Sequence, residues 1–119
     1  MAKNKSDIRS EVLAVSERLV LLGLLSGESS IIHVKLMQDF KQKIGFDEKE
    51  LQKLKFINNP DGTIQWTDPG NKGRGFEVGK VVRELIKERL EKLDKEKKIN
   101  AGHVSLWEKF VGNINVETD

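Results

Sequence analysis

The stretch GFDEKELQKLKFINNPDGTIQW, residues 45–66, is where the reading of this chain is decided, because its periodicity changes there. Asp47 and Glu50 have the spacing of a helix-capping pair. Phe46 and Leu51 bracket them as a hydrophobic staple, so a short helix is expected at about 48–54. After Lys55 the helical period stops. Phe56-Ile57-Asn58 and Thr63-Ile64-Gln65-Trp66 flank Asn59-Pro60-Asp61-Gly62, which spells a β-hairpin over 56–66.

On either side of this stretch the pattern is helical. Ile8, Val12, Val15, Leu19 and Leu22 recur at three- and four-residue steps and predict a first helix over 7–25, capped by Ser6 and stopped at Ser26-Gly27. Its end, through Val20, Leu21, Leu24 and Leu25, is apolar on every side, as in a helix central to a core or covered by a partner. Ser30 caps a second helix over 31–44, and Gly45 stands where a left-handed residue would end it. Residues 67–75, TDPGNKGRG, read as loop. A fourth helix is expected over 77–97 and a fifth, capped by Asn100, over 101–112, with Val104, Trp107, Phe110 and Val111 as its apolar face. The fold class is mainly α (α+β): five helices and one antiparallel hairpin in a single domain, 1–119, with loose ends at 1–5 and 113–119.

Composition narrows the functions. Of the 119 residues, 34% are charged, but the net charge is only +2. Residues 81–119 hold eight basic and eight acidic side chains, which is a solvated surface and not a basic nucleic-acid stripe. There is no cysteine, so disulfides, thiolate metal ligands and a thiol nucleophile are excluded. The longest apolar run, residues 19–25, is too short to span a membrane. A cytoplasmic location is expected, with no membrane partner.

The runs LVLLGLL (19–25), HVKLMQDFKQKIGFDEKE (33–50), TIQW (63–66) and EKLDKEKKINAGHVSLWEKFV (91–111) resemble small proteins encoded by phages and prophages. The resemblance implies a viral or prophage setting, hence the host cytoplasm. It carries no functional residue across.

No motif for catalysis stands out. His33 and His103 are far apart, lack the spacing of a metal site and fit helix-start positions. The serines lack a nucleophile elbow. No enzyme activity, cofactor, metal or small-molecule substrate is expected. Two polar features remain. One is the glycine-rich loop, whose Lys72 and Arg74 precede a helix start where anions are favoured, although it matches neither phosphate-loop pattern. The other is Trp66, at the end of a strand, where it is either packed inward or a binding anchor. Trp66, Lys72 and Arg74 are therefore the candidate contact residues. The leading expectation is a non-enzymatic accessory protein acting by protein–protein contact with itself or with a host or viral protein. The alternative is a winged-helix-like nucleic-acid-binding module using the hairpin and the loop 67–75. Against it, residues 47–55 carry no net charge and the wing tip carries Asp61.

Overall fold

The structure, a computed structural model, describes residues 8–67 and 73–114. The element order is β1 (Ile8–Leu13), α1 (Val15–Leu24), α2 (Ile31–Ile44), α3 (Glu48–Leu54), β2 (Ile57–Asn58), β3 (Ile64–Gln65), β4 (Arg74–Gly79), α4 (Lys80–Lys95), a 3-10 turn (Ala101–His103) and α5 (Val104–Phe110). The chain is mainly α, with two antiparallel two-stranded sheets, β1–β4 and β2–β3. Among the described residues no helix is long and apolar enough to cross a membrane.

The hairpin lies where the sequence places it, but of the first helix expected over 7–25 only Val15–Leu24 is helical. Residues 8–13 form a strand, paired from Ile8↔Gly79 to Leu13↔Arg74. The spacing of Ile8, Val12 and Val15 suits a helix, yet pairing with a distant strand overrides it. That distant strand lies partly in the expected loop and partly in the expected fourth helix. Its period-two signature is Phe76 and Val78, both buried, with exposed Gly75 and Glu77 beside them. Helix α1 then starts at Val15, where Glu17 accepts a hydrogen bond from the backbone N–H of Ala14 at 2.9 Å.

Three local expectations are also corrected. Gly45 is not left-handed (φ −65°); the left-handed cap residue is Lys55, after α3 (φ 49°). A glycine still suits position 45, because a Cβ there would come within 3.1 Å of the Lys41 carbonyl oxygen and the helix end would have to give by a few tenths of an ångström. Leu51, expected to be covered by Phe46, is 46% exposed, while the Phe46 ring packs edge-on against Phe56. In α5 the fully buried residue is Leu106, while Val104 is exposed and Trp107 only partly buried, because α5 presents a different edge to the bundle. The Ser30, Asp47 and Asn100 caps form, accepting from the backbone N–H groups of His33, Glu50 and Gly102.

The core lies between α1, α2 and α4, closed by β1–β4 on one side and α5 on another. Leu13, Leu21, Ile44, Val78, Ile86, Leu90 and Leu106 are fully buried in it. Transfer of such aliphatic side chains from water contributes about 1.5–3 kcal/mol each to folding.

Candidate functional site

Arg18 lies on α1, one residue before the run of apolar residues that fills the core, and is itself only 2% exposed. Its guanidinium reaches the junction of α2 and α3. Nε donates to the Ile44 carbonyl at 2.8 Å, and one terminal nitrogen donates to the Gly45 carbonyl at 2.9 Å. The fork also holds both Glu50 carboxylate oxygens, each at 2.9 Å. This bidentate geometry is what guanidinium offers and ammonium does not. The Phe46 ring lies 4.1 Å from the guanidinium carbon and the Phe76 ring of β4 lies 5.3 Å away, so aromatic faces complete the enclosure. Hydrogen bonding from Arg18 lowers the Glu50 pKa, and the charges of Arg18 and Arg74 reinforce the effect. Glu50, read from sequence as half of a capping pair, is thus an ionised acceptor in a bridge between helices.

From this hub a row of rings runs out to the hairpin. Phe46 meets Phe56 edge-on at 5.1 Å, and Phe56 meets Trp66 at 6.3 Å. Trp66 is half-buried at the end of the row. Next to it, Thr67 donates its backbone N–H to the Leu54 carbonyl at 2.7 Å, tying the outgoing strand to the end of α3. Arg74 stands at the opposite end of the cluster, 3.5 Å from Glu50 and with its guanidinium 5.3 Å from the Phe76 ring. Two of the three candidate contact residues, Trp66 and Arg74, therefore belong to one continuous assembly. Lys72 and most of the loop 67–75 lie outside the described residues, as do residues 1–5 and 115–119.

The hairpin beyond this base is built for projection. Asn59 and Thr63 close the turn, Gly62 supplies a positive φ of 89°, and Asp61 accepts from the Thr63 N–H at 2.9 Å and hydroxyl at 2.6 Å. Those two bonds lower the Asp61 pKa. Ile57 pairs with Gln65 and Ile64 with Asn58, so the isoleucines emerge on opposite faces of the ribbon. They are 53% and 40% exposed, and Leu51 on the neighbouring α3 is 46% exposed.

The winged-helix order of α2, α3 and hairpin is present, but β1 pairs with β4, and among the described residues no third strand joins β2–β3. Among the described residues no group of three or more His, Asp or Glu side chains is placed to hold a metal. His103 accepts from the Asn100 N–H through Nδ1 at 3.0 Å, and His33 Nδ1 lies 3.3 Å from the Ser29 hydroxyl, both at helix starts. Arg18 was the residue missed in the sequence. Its one visible signal is a lone cation beside LVLLGLL, on a face that continues into the core. Comparison with protein-family models, with characterised proteins and with solved structures returns no match to this chain.

Proposed function

We propose that this is a non-enzymatic accessory protein of phage or prophage type that works by protein–protein contact, with α3 and the projecting hairpin as its binding element. The observation that carries this reading is the contrast within that element. Its base is anchored by a row of half-buried rings and the buried Arg18, while Leu51 on α3 and the two isoleucines, Ile57 and Ile64 on opposite sides of the hairpin, stand exposed. Exposed apolar side chains on a preorganised support suit a protein partner, since little ordering entropy remains to be lost on binding. The same element suits a polyanion poorly. Arg74 is engaged with Glu50, the turn carries Asp61, and α3 mixes Glu48, Lys49 and Lys53.

The test is affinity capture from host-cell lysate, followed by binding of the purified partner to wild type and to Ile57→Asp/Ile64→Asp. A partner whose affinity drops about 30-fold or more in the variant, with the thermal melt unchanged, supports the reading. It fails if the two proteins bind alike, or if the ligand recovered is a nucleic acid whose affinity falls steeply with salt and depends on Arg74.

A further inference from the structure

A second apolar surface lies away from the hairpin, between α1 and α4. It is a groove of about 570 Å³ with an apolar wall of Leu19, Val20, Gly23 and Leu24 on α1 and Leu93 on α4, edged by polar groups that include Arg89, Lys92 and Glu96. On α1 these residues make two parallel rows, 19 with 23 and 20 with 24, each one turn apart. Gly23 is unexplained by the packing of the single chain. Glycine is the poorest helix former after proline, and nothing lies within 4 Å of where its Cβ would be. The missing side chain opens the wall of the groove.

The same molecule carries a matching projection. Ile31 and Ile32 open α2 and are 81% and 69% exposed, the two most exposed large apolar residues described. Met37 on α2 touches the Arg89 guanidinium at the groove's rim (3.6 Å), and Ile31 lies six residues, about 9 Å, further along the helix axis. The first turn of α2 is therefore an exposed apolar tip. The six residues that join α1 to α2, 25–30, keep projection and groove side by side: Ser26 lines the groove, and Gly27 and Glu28 line its continuation.

Charge at this end of the molecule is complementary as well. The groove continues past Arg89 into a hollow of about 620 Å³ lined by Gly27, Glu28, Glu88, Arg89 and Lys92, in which the Arg89 guanidinium is already engaged with the Leu24 and Ser26 carbonyls. Among the described residues neither Glu28 nor Lys92 makes an ion pair. Glu28 precedes Ile31 by three residues, so it accompanies the projection wherever that docks.

We propose that the chain forms a two-fold dimer in which the Ile31 and Ile32 tip of each copy enters the α1–α4 groove of the other, beside Gly23, with Glu28 of one copy meeting Lys92 of the second. A projection and a recess on one surface are what a closed, self-complementary interface requires. An unrelated partner would use one of the two features and leave the other exposed.

The experiment is sedimentation velocity on the full chain at concentrations up to about 100 μM, where an interface of modest size associates. Wild type should run as a dimer. Ile31→Asp/Ile32→Asp and Gly23→Leu should each weaken it about 30-fold or more, the loss expected for a central apolar anchor. Neither change touches a buried contact within the chain, so the circular dichroism spectrum of the dilute monomer should be unaltered. Lys92→Glu should weaken the dimer and Glu28→Lys in the same chain should restore it. A wild type that stays monomeric overturns the proposal. So does a dimer that survives both the Gly23 and the isoleucine changes, or a charge reversal that is not rescued.

Discussion

Glu17 and Arg18 are consecutive residues of α1, both buried and both charged, but their surroundings satisfy them to different degrees. Arg18 has two backbone carbonyls and a bidentate carboxylate around its fork, with a ring at 4.1 Å. Glu17 binds the Lys109 ammonium at 2.6 Å and the Ala14 N–H through one oxygen, while its other oxygen, Oε2, has no hydrogen-bond partner among the described residues. Burial pushes the Glu17 pKa up, and the Lys109 and Ala14 bonds, helped by the nearby Ser105 hydroxyl, bring it below the ordinary value. Burial of a charge is thus met in two ways. Arg18 is held from several directions by the α2–α3 junction. Glu17 depends chiefly on one cation from α5, which also donates to the Val12 carbonyl.

This difference can be broken from the Arg18 side first. Arg18→Ala leaves the Ile44 and Gly45 carbonyls and Glu50 without their donor and removes the stem packed beside Phe46. It should cost about 3–5 kcal/mol, read as a fall in urea midpoint with unchanged slope. Arg18→Lys should recover only a fraction, because an ammonium cannot reproduce the fork.

Lys109→Met should have the next largest effect, about 2–3 kcal/mol at neutral pH, because it strands the Glu17 carboxylate. It should also flatten a pH dependence. In wild type the lowered Glu17 pKa contributes stability above about 4.5 that is lost as pH falls. Without Lys109, only the Ala14 N–H and the Ser105 hydroxyl oppose burial, so the folded pKa rises from its wild-type value. The variant should then lose less stability than wild type as pH falls. Urea titrations of the variant that decline toward acid as steeply as wild type would contradict the assignment.

The mildest change is Glu50→Gln, which keeps one acceptor oxygen for Arg18 and should cost about 1–2 kcal/mol at pH 7. Because the folded Glu50 pKa is lowered, its contribution is present above about 4.5 and disappears as pH drops through the folded value. Wild type and variant should therefore converge below that point in thermal melts taken across a pH series.

What was legible in the sequence was whatever is decided within a few residues. Asp47, Ser30 and Asn100 cap their helices because a short polar side chain meets a backbone N–H two or three positions on. Pro60, Asp61 and Gly62 turn the chain for reasons internal to the turn. The strand at 8–13 was not legible, because its partner is 74–79 and the intervening helices are what bring the two together. Arg18 was hidden for a related reason. Its acceptors are 26 to 32 residues away, on a junction that exists only once α2 and α3 have packed. At the candidate site, Trp66 and Arg74 could be singled out as chemically suitable residues, but the row of rings that joins them to the hub is a property of packing.

The β1–β4 ladder has a consequence for the order in which this molecule assembles. Six residue pairs join a strand near the beginning of the described chain to one that follows α1, α2, α3 and the hairpin. Everything from 14 to 73 is a loop enclosed by that ladder. Closing so long a loop in a disordered chain is entropically unfavourable, and helix formation shortens the distance to be closed. The ladder is therefore a late event in folding and an early one to be lost. Amide protons of β1 should exchange by local opening, while those at the centres of α1 and α4 wait for global unfolding.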